Sequence, residues 1–389
     1  MFSIQANKEM FETLKKIALT FLTALPAIIL TFVFMSRGHV PQNGIKLAAF
    51  ATGFIFFNSM FFMMLYTGKT DRYRSAIYIA TAVFFVISFI SHMFEARGSM
   101  SFTDDTLLNC EIPFCHIVTT MALIPYALTN TIIFPGSLVE GYAAIGSMIV
   151  IWLLACFTIG RGWCSWGCFF GGLDEGFSKI LKKPVIKEIN PKLKYAPFIV
   201  LLFVAVTSAY FLQPTYCSWL CPFKTVTEYE PITDAASLIK TIIFLSLFAA
   251  LVIIFPLLSK KRTQCSLFCP FGAMQSVTNC ISPFEIKIDA AKCVGCKLCI
   301  KTCPTLSISE NNLKKGSAGL TCVRCGKCVD VCPKGAAAYH IKGTGENFGG
   351  ASRVVALYAF FLFMAIFLGG DFIGGVERLL KFITTGSFI

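Results

Sequence analysis

Long apolar runs alternate with short polar connections along most of the chain, and this pattern predicts membrane-spanning helices. A helix needs about 20 residues to cross a bilayer, and helices satisfy their own backbone hydrogen bonds in lipid. Runs near that length cover 17–36, 47–66, 76–95, 142–160, 197–213, 241–258 and 353–372. We therefore expect an all-α polytopic membrane protein with about seven spans.

Basic residues beside alternate runs predict which connections lie in the cytoplasm. Three basic stretches, 69–74, 161–194 and 260–262, mark such connections, whereas the opposite connections carry carboxylates. The apolar segment 117–134 is interrupted by Pro125. If this segment crossed, the lysine-rich stretch 161–194 would move outside, so we expect it to remain at the outer face.

The overall composition agrees with a membrane protein. Hydrophobic residues make up 56% of the 389 residues and charged residues only 14%, too few charges to cover the surface of a soluble chain. The net charge of +13 does not predict nucleic-acid binding, because the basic residues lie beside apolar runs. We expect a multi-pass protein of the cytoplasmic (inner) membrane, in contact with lipid and without a nucleic-acid partner.

Two matched cysteine motifs, CVGCKLCIKTCP and CVRCGKCVDVCP, occupy residues 293–333. Each has the spacing of bacterial ferredoxins with two clusters, in which the fourth cysteine of one motif binds the other cluster. The predicted ligands of the first [4Fe–4S] cluster are Cys293, Cys296, Cys299 and Cys332, and those of the second are Cys322, Cys325, Cys328 and Cys303. A zinc ribbon is disfavoured, because zinc sites take their ligands in two pairs.

These motifs predict an inserted ferredoxin-like α+β domain. It follows the basic stretch 260–262, so we expect it to face the cytoplasm. The chain would divide into a membrane domain (1–280), the ferredoxin domain (281–345) and a last span with its tail (346–389).

A looser repeat precedes the ferredoxin motifs and reads C-S-x-x-C-[FP]-F at three places, CSWGCFF, CSWLCPF and CSLFCPF. Cysteines four residues apart share one face of a helical turn, so both thiols can point at one target. Because successive spans alternate sides, the first and third copies fall at the cytoplasmic edge. We expect their four thiols, Cys164, Cys168, Cys265 and Cys269, to hold one cluster.

The second copy, Cys217 and Cys221, falls at the outer edge by the same alternation. The outer connection before it supplies Cys110 and Cys115, which would complete a second four-thiolate site. Two disulfides remain an alternative, since that compartment is oxidising in bacteria. A stretched haem-attachment motif in CEIPFCH is a weaker one, because the usual form is C-x-x-C-H.

The motifs GRGWCSWGC and CSLFCP, together with the eight ferredoxin cysteines, resemble the NapH/NosR/CcoG family of membrane ferredoxins across about 142–342. The resemblance implies electron transfer between a cytoplasmic reductant (a ferredoxin or flavoprotein) or quinol and an extracytoplasmic acceptor, or copper reduction. This chain departs from the pattern in having Phe169 after Cys168 and in carrying the third cysteine pair. We expect no separate flavin-binding domain before the spans.

We therefore expect an electron conduit across the membrane. Two other functions stay open, a cupric-ion or thiol–disulfide reductase that uses the outer cysteines, and a non-catalytic cluster-bearing assembly subunit. A hydrocarbon core of about 30 Å is long for one electron-transfer step. The outer site must therefore lie inside the protein at membrane depth, or another cofactor must bridge the gap.

Overall fold

The computed structural model describes residues 2–36, 38–96, 117, 127–129, 145–227, 232–345 and 349–386. Cys110, Cys115 and most of the segment 117–134 lie outside the described residues. The longer helices are α1 (Phe2–Ser36), α2 (Gly44–Thr67), α3 (Thr70–Ala96), α4 (Ile145–Thr158), then after the one-turn α5 (Trp163–Trp166), α6 (Phe169–Ile180) and α7 (Ala196–Phe211).

The second half of the chain continues with further helices and two strands. These are α8 (Lys224–Thr227), α9 (Ala235–Leu247), α10 (Phe255–Ser259), α11 (Pro270–Thr278), β1 (Phe284–Ile288), α12 (Leu298–Thr302), α13 (Glu310–Lys315), α14 (Lys327–Asp330), β2 (Ala337–Ile341) and α15 (Gly349–Thr385). The π-helical segment Phe248–Ile254 joins α9 to α10 as one continuous rod.

Five helical segments are long and apolar enough to cross a membrane: Glu9–Ser36, Gly44–Thr67, Pro191–Phe211, Ala235–Ser259 and Gly350–Thr385. They coincide with five of the seven predicted spans. The predicted spans 76–95 and 142–160 fall on α3 and α4, which are not among these five. The protein is thus a mostly helical membrane protein, and the count of seven stays a prediction.

Capping residues fix the ends of two spans. The Asn43 side chain accepts a hydrogen bond from the Ile45 backbone at the start of α2, and Gly68 ends that helix at φ +76°. Asp234 and Ser237 form a reciprocal capping box at the start of α9. Each boundary follows from residue types that suit helix ends, namely Asn or Asp before the first turn and glycine after the last.

Helix α6 returns along α3 towards the ferredoxin domain. The rings of Phe169 and Phe85 lie 3.8 Å apart at one end of this contact, and Glu175 pairs with Arg74 at 2.5 Å near the other. One turn after Glu175, Lys179 pairs with Asp71 at 3.1 Å. The first C-S-x-x-C copy therefore lies at the tip of a hairpin.

The third C-S-x-x-C copy lies on a similar hairpin. The chain leaves the ferredoxin surface at Arg262, whose backbone N–H donates to the Pro304 carbonyl at 2.9 Å. It returns at Asn279, whose amide donates to the Cys322 carbonyl at 2.8 Å. This hairpin thus begins and ends beside the ferredoxin domain.

The ferredoxin domain is built on β1 and β2, which pair antiparallel with Phe284 opposite Ile341 and Ile288 opposite Ala337. The two cysteine motifs lie between these strands along the chain, and both motifs have the same backbone conformation. Gly295 and Lys297 have positive φ in the first motif, and Arg324 and Gly326 have positive φ at the equivalent places in the second. The predicted α+β fold of this domain and its boundaries stay predictions.

The close contact between α6 and α3 predicts opposite effects for two glycines on one helix. A Cβ at Gly172 would lie 2.5 Å from the Tyr78 carbonyl oxygen, whereas a Cβ at Gly176 would lie 3.5 Å from Ile79. We expect Gly172→Ala to lower the free energy of unfolding by about 1–3 kcal/mol through overpacking. Gly176→Ala should be neutral or stabilising, because alanine is the better helix former. Thermal unfolding in detergent measures both, and equal melting temperatures would contradict the packing described.

Candidate iron–sulfur sites

The four cysteines predicted for the first cluster line one cavity. Cys293, Cys296, Cys299 and Cys332 all border it, together with apolar residues and three lysines. Cys296 is exposed and the other three are partly buried. The fourth cysteine of the second motif is thus brought to the first three of the other motif, as the grouping of a two-cluster ferredoxin requires.

The four cysteines predicted for the second cluster lie deeper. Cys303, Cys325 and Cys328 are buried and Cys322 is partly exposed. Burial and the neighbouring thiols of Cys322, Cys325 and Cys303 raise the pKa of Cys328 well above its usual range. Burial also raises the pKa of Cys322 to about 11. A cationic iron cluster would supply the charge that holds such thiols deprotonated, so this donor set fits a [4Fe–4S] cluster.

The second group of cysteines faces the membrane domain. Three groups from that domain donate hydrogen bonds to cysteine carbonyls in it: Lys261 Nζ to Cys303 at 2.8 Å, Asn279 Nδ2 to Cys322 at 2.8 Å, and Arg74 Nε to Cys325 at 3.1 Å. Asp330, on the short helix within this motif, accepts from the backbone of Thr70 at 2.8 Å. These contacts fix the second group against the start of α3 and the hairpin of the third copy.

The C-S-x-x-C copies share a widened turn. The backbone N–H of Cys168 donates to the carbonyl of Trp163 at 3.1 Å, and that of Cys269 donates to Gln264 at 3.0 Å, in each case five residues back. Cys168, Cys221 and Cys269 all have extended backbone. Proline follows two of them, and a residue before proline is pushed towards that conformation. The sequence repeat is therefore also a structural repeat.

The structure brings the first and third copies together. Arg262 Nη2 donates to the Cys164 carbonyl at 2.6 Å and to the Cys265 thiol at 3.2 Å. Arg161 Nη2 donates to the Cys265 carbonyl at 3.2 Å. Burial and the neighbouring Cys164 raise the pKa of Cys269 to about 12. We call Cys164, Cys168, Cys265 and Cys269 the inner site.

A buried network of charges surrounds the inner site. Burial disfavours the charged form of Glu175, yet the Arg74 guanidinium and the Lys179 ammonium hold its pKa below the usual range. The neighbouring Asp174 accepts from the Cys265 backbone at 3.0 Å, and burial raises its pKa to about 7 despite the nearby Arg262. Fully buried cations need such partners, because an unpaired charge away from water is strongly destabilising.

The second copy meets the inner site directly. Gln264 Nε2, next to Cys265, donates to the Tyr216 hydroxyl at 3.0 Å, next to Cys217. The ring of Phe223 stacks on Phe170 at 4.1 Å. Burial and the nearby thiols of Cys221, Cys269 and Cys217 raise the pKa of Tyr216. The turn that carries Cys217 and Cys221, called the Cys217 turn below, therefore lies beside the tips of both hairpins.

This contact bears on the depth of the Cys217 pair. The sequence left two ways to avoid a step as long as the hydrocarbon core is thick, an outer site inside the protein at membrane depth or a bridging cofactor, and side chains adjacent to the two sites touch. Alternation of spans predicts the end from which a turn enters, but it does not predict how deep the turn reaches. The predicted partners Cys110 and Cys115 lie outside the described residues, so a complete outer site stays a prediction.

Sequence reasoning missed the three arginines that hold the inner site. Arg74, Arg161 and Arg262 lie in the basic stretches that mark topology, yet each is fully or almost fully buried. Two tryptophans beside the inner thiols, Trp163 and Trp166, are also buried. The signal that could have found two of the arginines is their position three residues before a cysteine of the repeat.

Cys156, Cys280 and Trp219 occupy ordinary places. Cys156 is buried with its thiol 3.5 Å from the Gln275 side-chain oxygen, and Cys280 is exposed. Trp219 is 38% exposed and lies beneath the Lys240 ammonium, unlike the two buried tryptophans. Within the described residues, no three Cys, His, Asp or Glu side chains converge closely enough to hold a single metal ion.

Comparison with known families matches both kinds of cysteine motif. Residues 140–187, 193–229 and 241–287 each match the family model described as a 4Fe-4S binding domain, so each match contains one C-S-x-x-C copy. Residues 292–337 match the model described as a 4Fe-4S dicluster domain. The family model thus identifies the same threefold repeat as the cysteine spacing.

Three relatives illustrate the similarity. Uncharacterized protein MJ0749 of Methanocaldococcus jannaschii is 30% identical over 199 residues, which are 49% of this chain and 68% of that protein. The putative electron transport protein YccM of Escherichia coli is 25% identical, over 51% of this chain and 56% of YccM. The ferredoxin-type protein NapH of Haemophilus influenzae is 25% identical, over 50% of this chain and 66% of NapH. No solved structure matches the chain.

The hairpin arrangement predicts that Cys164 and Cys265 serve one cluster. We expect Cys164→Ser and Cys265→Ser to remove the same low-temperature EPR signal and about four iron atoms, because each takes one thiolate from a site with four cysteine ligands. Cys156→Ser is the matched control, since its thiol is buried nearby without belonging to the group. Loss of different signals in the two variants, or of none, would show that the pairs do not share a cluster.

Proposed function

The chain belongs to the NapH-type membrane ferredoxins, and from this premise we propose that it carries electrons across the membrane between a cytoplasmic or membrane donor and an extracytoplasmic acceptor. Bound [4Fe–4S] clusters would supply the one-electron chemistry. The observation that carries the proposal is the continuous contact from the ferredoxin domain through the inner site to the Cys217 turn.

The first step of this path joins the ferredoxin domain to the inner site. Arg74 donates to the carbonyl of Cys325 at 3.1 Å and, from Nη1, to the carbonyl of Ser165 at 2.8 Å. Trp166 Nε1 donates to the Arg324 carbonyl at 3.1 Å beside it. Arg74 and Trp166 thus hold the backbone of the second cysteine group against that of the inner site. This keeps the distance between the two sites short and constant.

The second step joins the inner site to the Cys217 turn. The Tyr216–Gln264 hydrogen bond and the Phe170–Phe223 stack lie between the Cys217 turn and the two turns of the inner site. All four side chains are buried, so water is excluded from the junction. This contact supports an electron-transfer step much shorter than the thickness of the membrane.

The buried cations have a role in this proposal. An electron that arrives at the inner site adds negative charge in a region of low dielectric, where an uncompensated charge is costly. Arg262 and Arg161 lie against Cys265, and they would stabilise the added charge without any movement. Glu175 pairs with Arg74 at 2.5 Å and with Arg262 at 3.8 Å, so it offsets part of this buried positive charge.

Electron transfer across vesicle membranes tests this function. The protein is reconstituted in liposomes with ferricyanide trapped inside, an ionophore to dissipate the membrane potential, and a one-electron reductant outside. Each electron that crosses reduces one ferricyanide to ferrocyanide and leaves one reductant molecule oxidised. We expect wild type to bleach the trapped ferricyanide and the double variant Cys217→Ser, Cys221→Ser to do so at least tenfold more slowly, about 1.4 kcal/mol on the barrier.

The control for this experiment is Cys280→Ser, an exposed cysteine outside the path. Undiminished transfer in the double variant would remove the Cys217 turn from the path. No transfer in wild type, with all clusters present by iron analysis, would favour an assembly subunit. Reduction of an external disulfide or cupric ion without transfer to ferricyanide would favour the reductase.

A further inference from the structure

The cavity of the first cysteine group opens on a small apolar surface. Val294 and Leu298, which border the cavity, are 61% and 42% exposed, and the neighbouring Cys296 is exposed. The second group is covered by the membrane domain through Lys261, Asn279 and Arg74, as described above. A soluble protein can therefore approach the clusters of this domain most closely at Cys296.

Lysines surround this apolar surface. Lys292, Lys297 and Lys334 line the cavity, and the described lining contains no carboxylate. Asp289 and Glu310 pair with Lys292 and Lys297 and offset part of their charge, so the three lysines outnumber the two carboxylates by one. The surface thus has an apolar centre with a positive rim, which is the anatomy of a protein–protein interface with a charged periphery.

We propose that this surface, defined by Val294, Cys296, Leu298 and the three lysines, docks a small soluble electron-carrier protein with an acidic face around its own redox centre. This inference rests on the proposed function, because it names the partner of the same electron path. The docked carrier loses one electron and the chain gains one, so no proton or other reactant is required. Rim charges of this kind mainly raise the association rate and make it depend on salt.

Other occupants fit the surface less well. A nucleic acid would need basic residues spread along a groove, whereas these lysines ring an apolar patch only a few residues wide. A small anionic reductant would need no exposed Val294 and Leu298. The combination of a thiol-lined cavity, apolar contact area and positive rim therefore favours an acidic redox protein.

Stopped-flow reduction of the purified full-length protein tests the proposal. The probe is a reduced, strongly acidic two-cluster bacterial ferredoxin, and the absorbance of the protein's own clusters is followed at low and high salt. We expect the triple variant Lys292→Glu, Lys297→Glu, Lys334→Glu to lower the second-order rate constant by about tenfold or more at low salt. The difference from wild type should shrink as salt screens the charges.

The control variant Lys182→Glu, Lys183→Glu changes exposed lysines on a connection outside the cavity lining. It should reduce the rate much less than the cavity variant. Equal effects of the two variants, or a wild-type rate that does not respond to salt, would overturn the docking surface.

Chemical reduction by dithionite separates this inference from the proposed function. In both lysine variants dithionite should reduce all clusters, including the inner site, which shows that the variants are folded and loaded. If dithionite reduces the ferredoxin clusters of wild type but never the inner site, the electron path fails. If it reduces all of them and the lysine variants still accept electrons from the ferredoxin at the wild-type rate, only the docking surface fails.

Discussion

The buried guanidinium of Arg74 is the interaction on which the arrangement of the redox sites depends. It pairs with Asp71 at 2.8 Å and Glu175 at 2.5 Å, and its remaining donors reach the Ser165 and Cys325 carbonyls. One side chain thus joins the start of α3, helix α6, the first cysteine hairpin and the ferredoxin domain. Removing a partner from a buried ion pair costs about 3–5 kcal/mol, so these four parts hold one another in place.

Arginine suits this position for a geometric reason. Its planar head presents five donors in a fixed fork, whereas lysine presents a compact point charge. Arg74 uses that fork to reach two carboxylates and two carbonyls at once, and Arg262 does the same for the Cys164 carbonyl, the Cys265 thiol and the Ser165 hydroxyl. The redox sites are therefore positioned by directional bonds as well as by apolar packing. Under the proposed function, this positioning would keep the distances between the clusters short.

The sequence predicted the parts of this structure that local patterns encode. Cysteine spacing located the ferredoxin motifs, and the C-S-x-x-C repeat located three turns with the same backbone. Five of the predicted spans followed from apolar length alone. What could not be predicted comes from long-range contacts. Arg74 and Arg262 lie in basic stretches that mark topology, and their burial could not be predicted because buried partners of theirs lie far away in the chain. No local pattern predicts that Tyr216 contacts Gln264. Span alternation predicts the side from which the Cys217 turn enters, which stays a prediction, and it does not predict how deep the turn reaches.

Magnetic coupling between reduced clusters tests most directly the claim that the ferredoxin domain and the inner site form one contiguous path. EPR spectra of fully reduced wild type and of Cys164→Ser would be compared, with iron content confirming that only the inner cluster is lost. The account predicts that wild type shows signals broadened by interaction between the second ferredoxin cluster and the inner site, and that the variant shows the ferredoxin pair alone. A wild-type spectrum equal to the variant spectrum plus an isolated, uncoupled signal would contradict it.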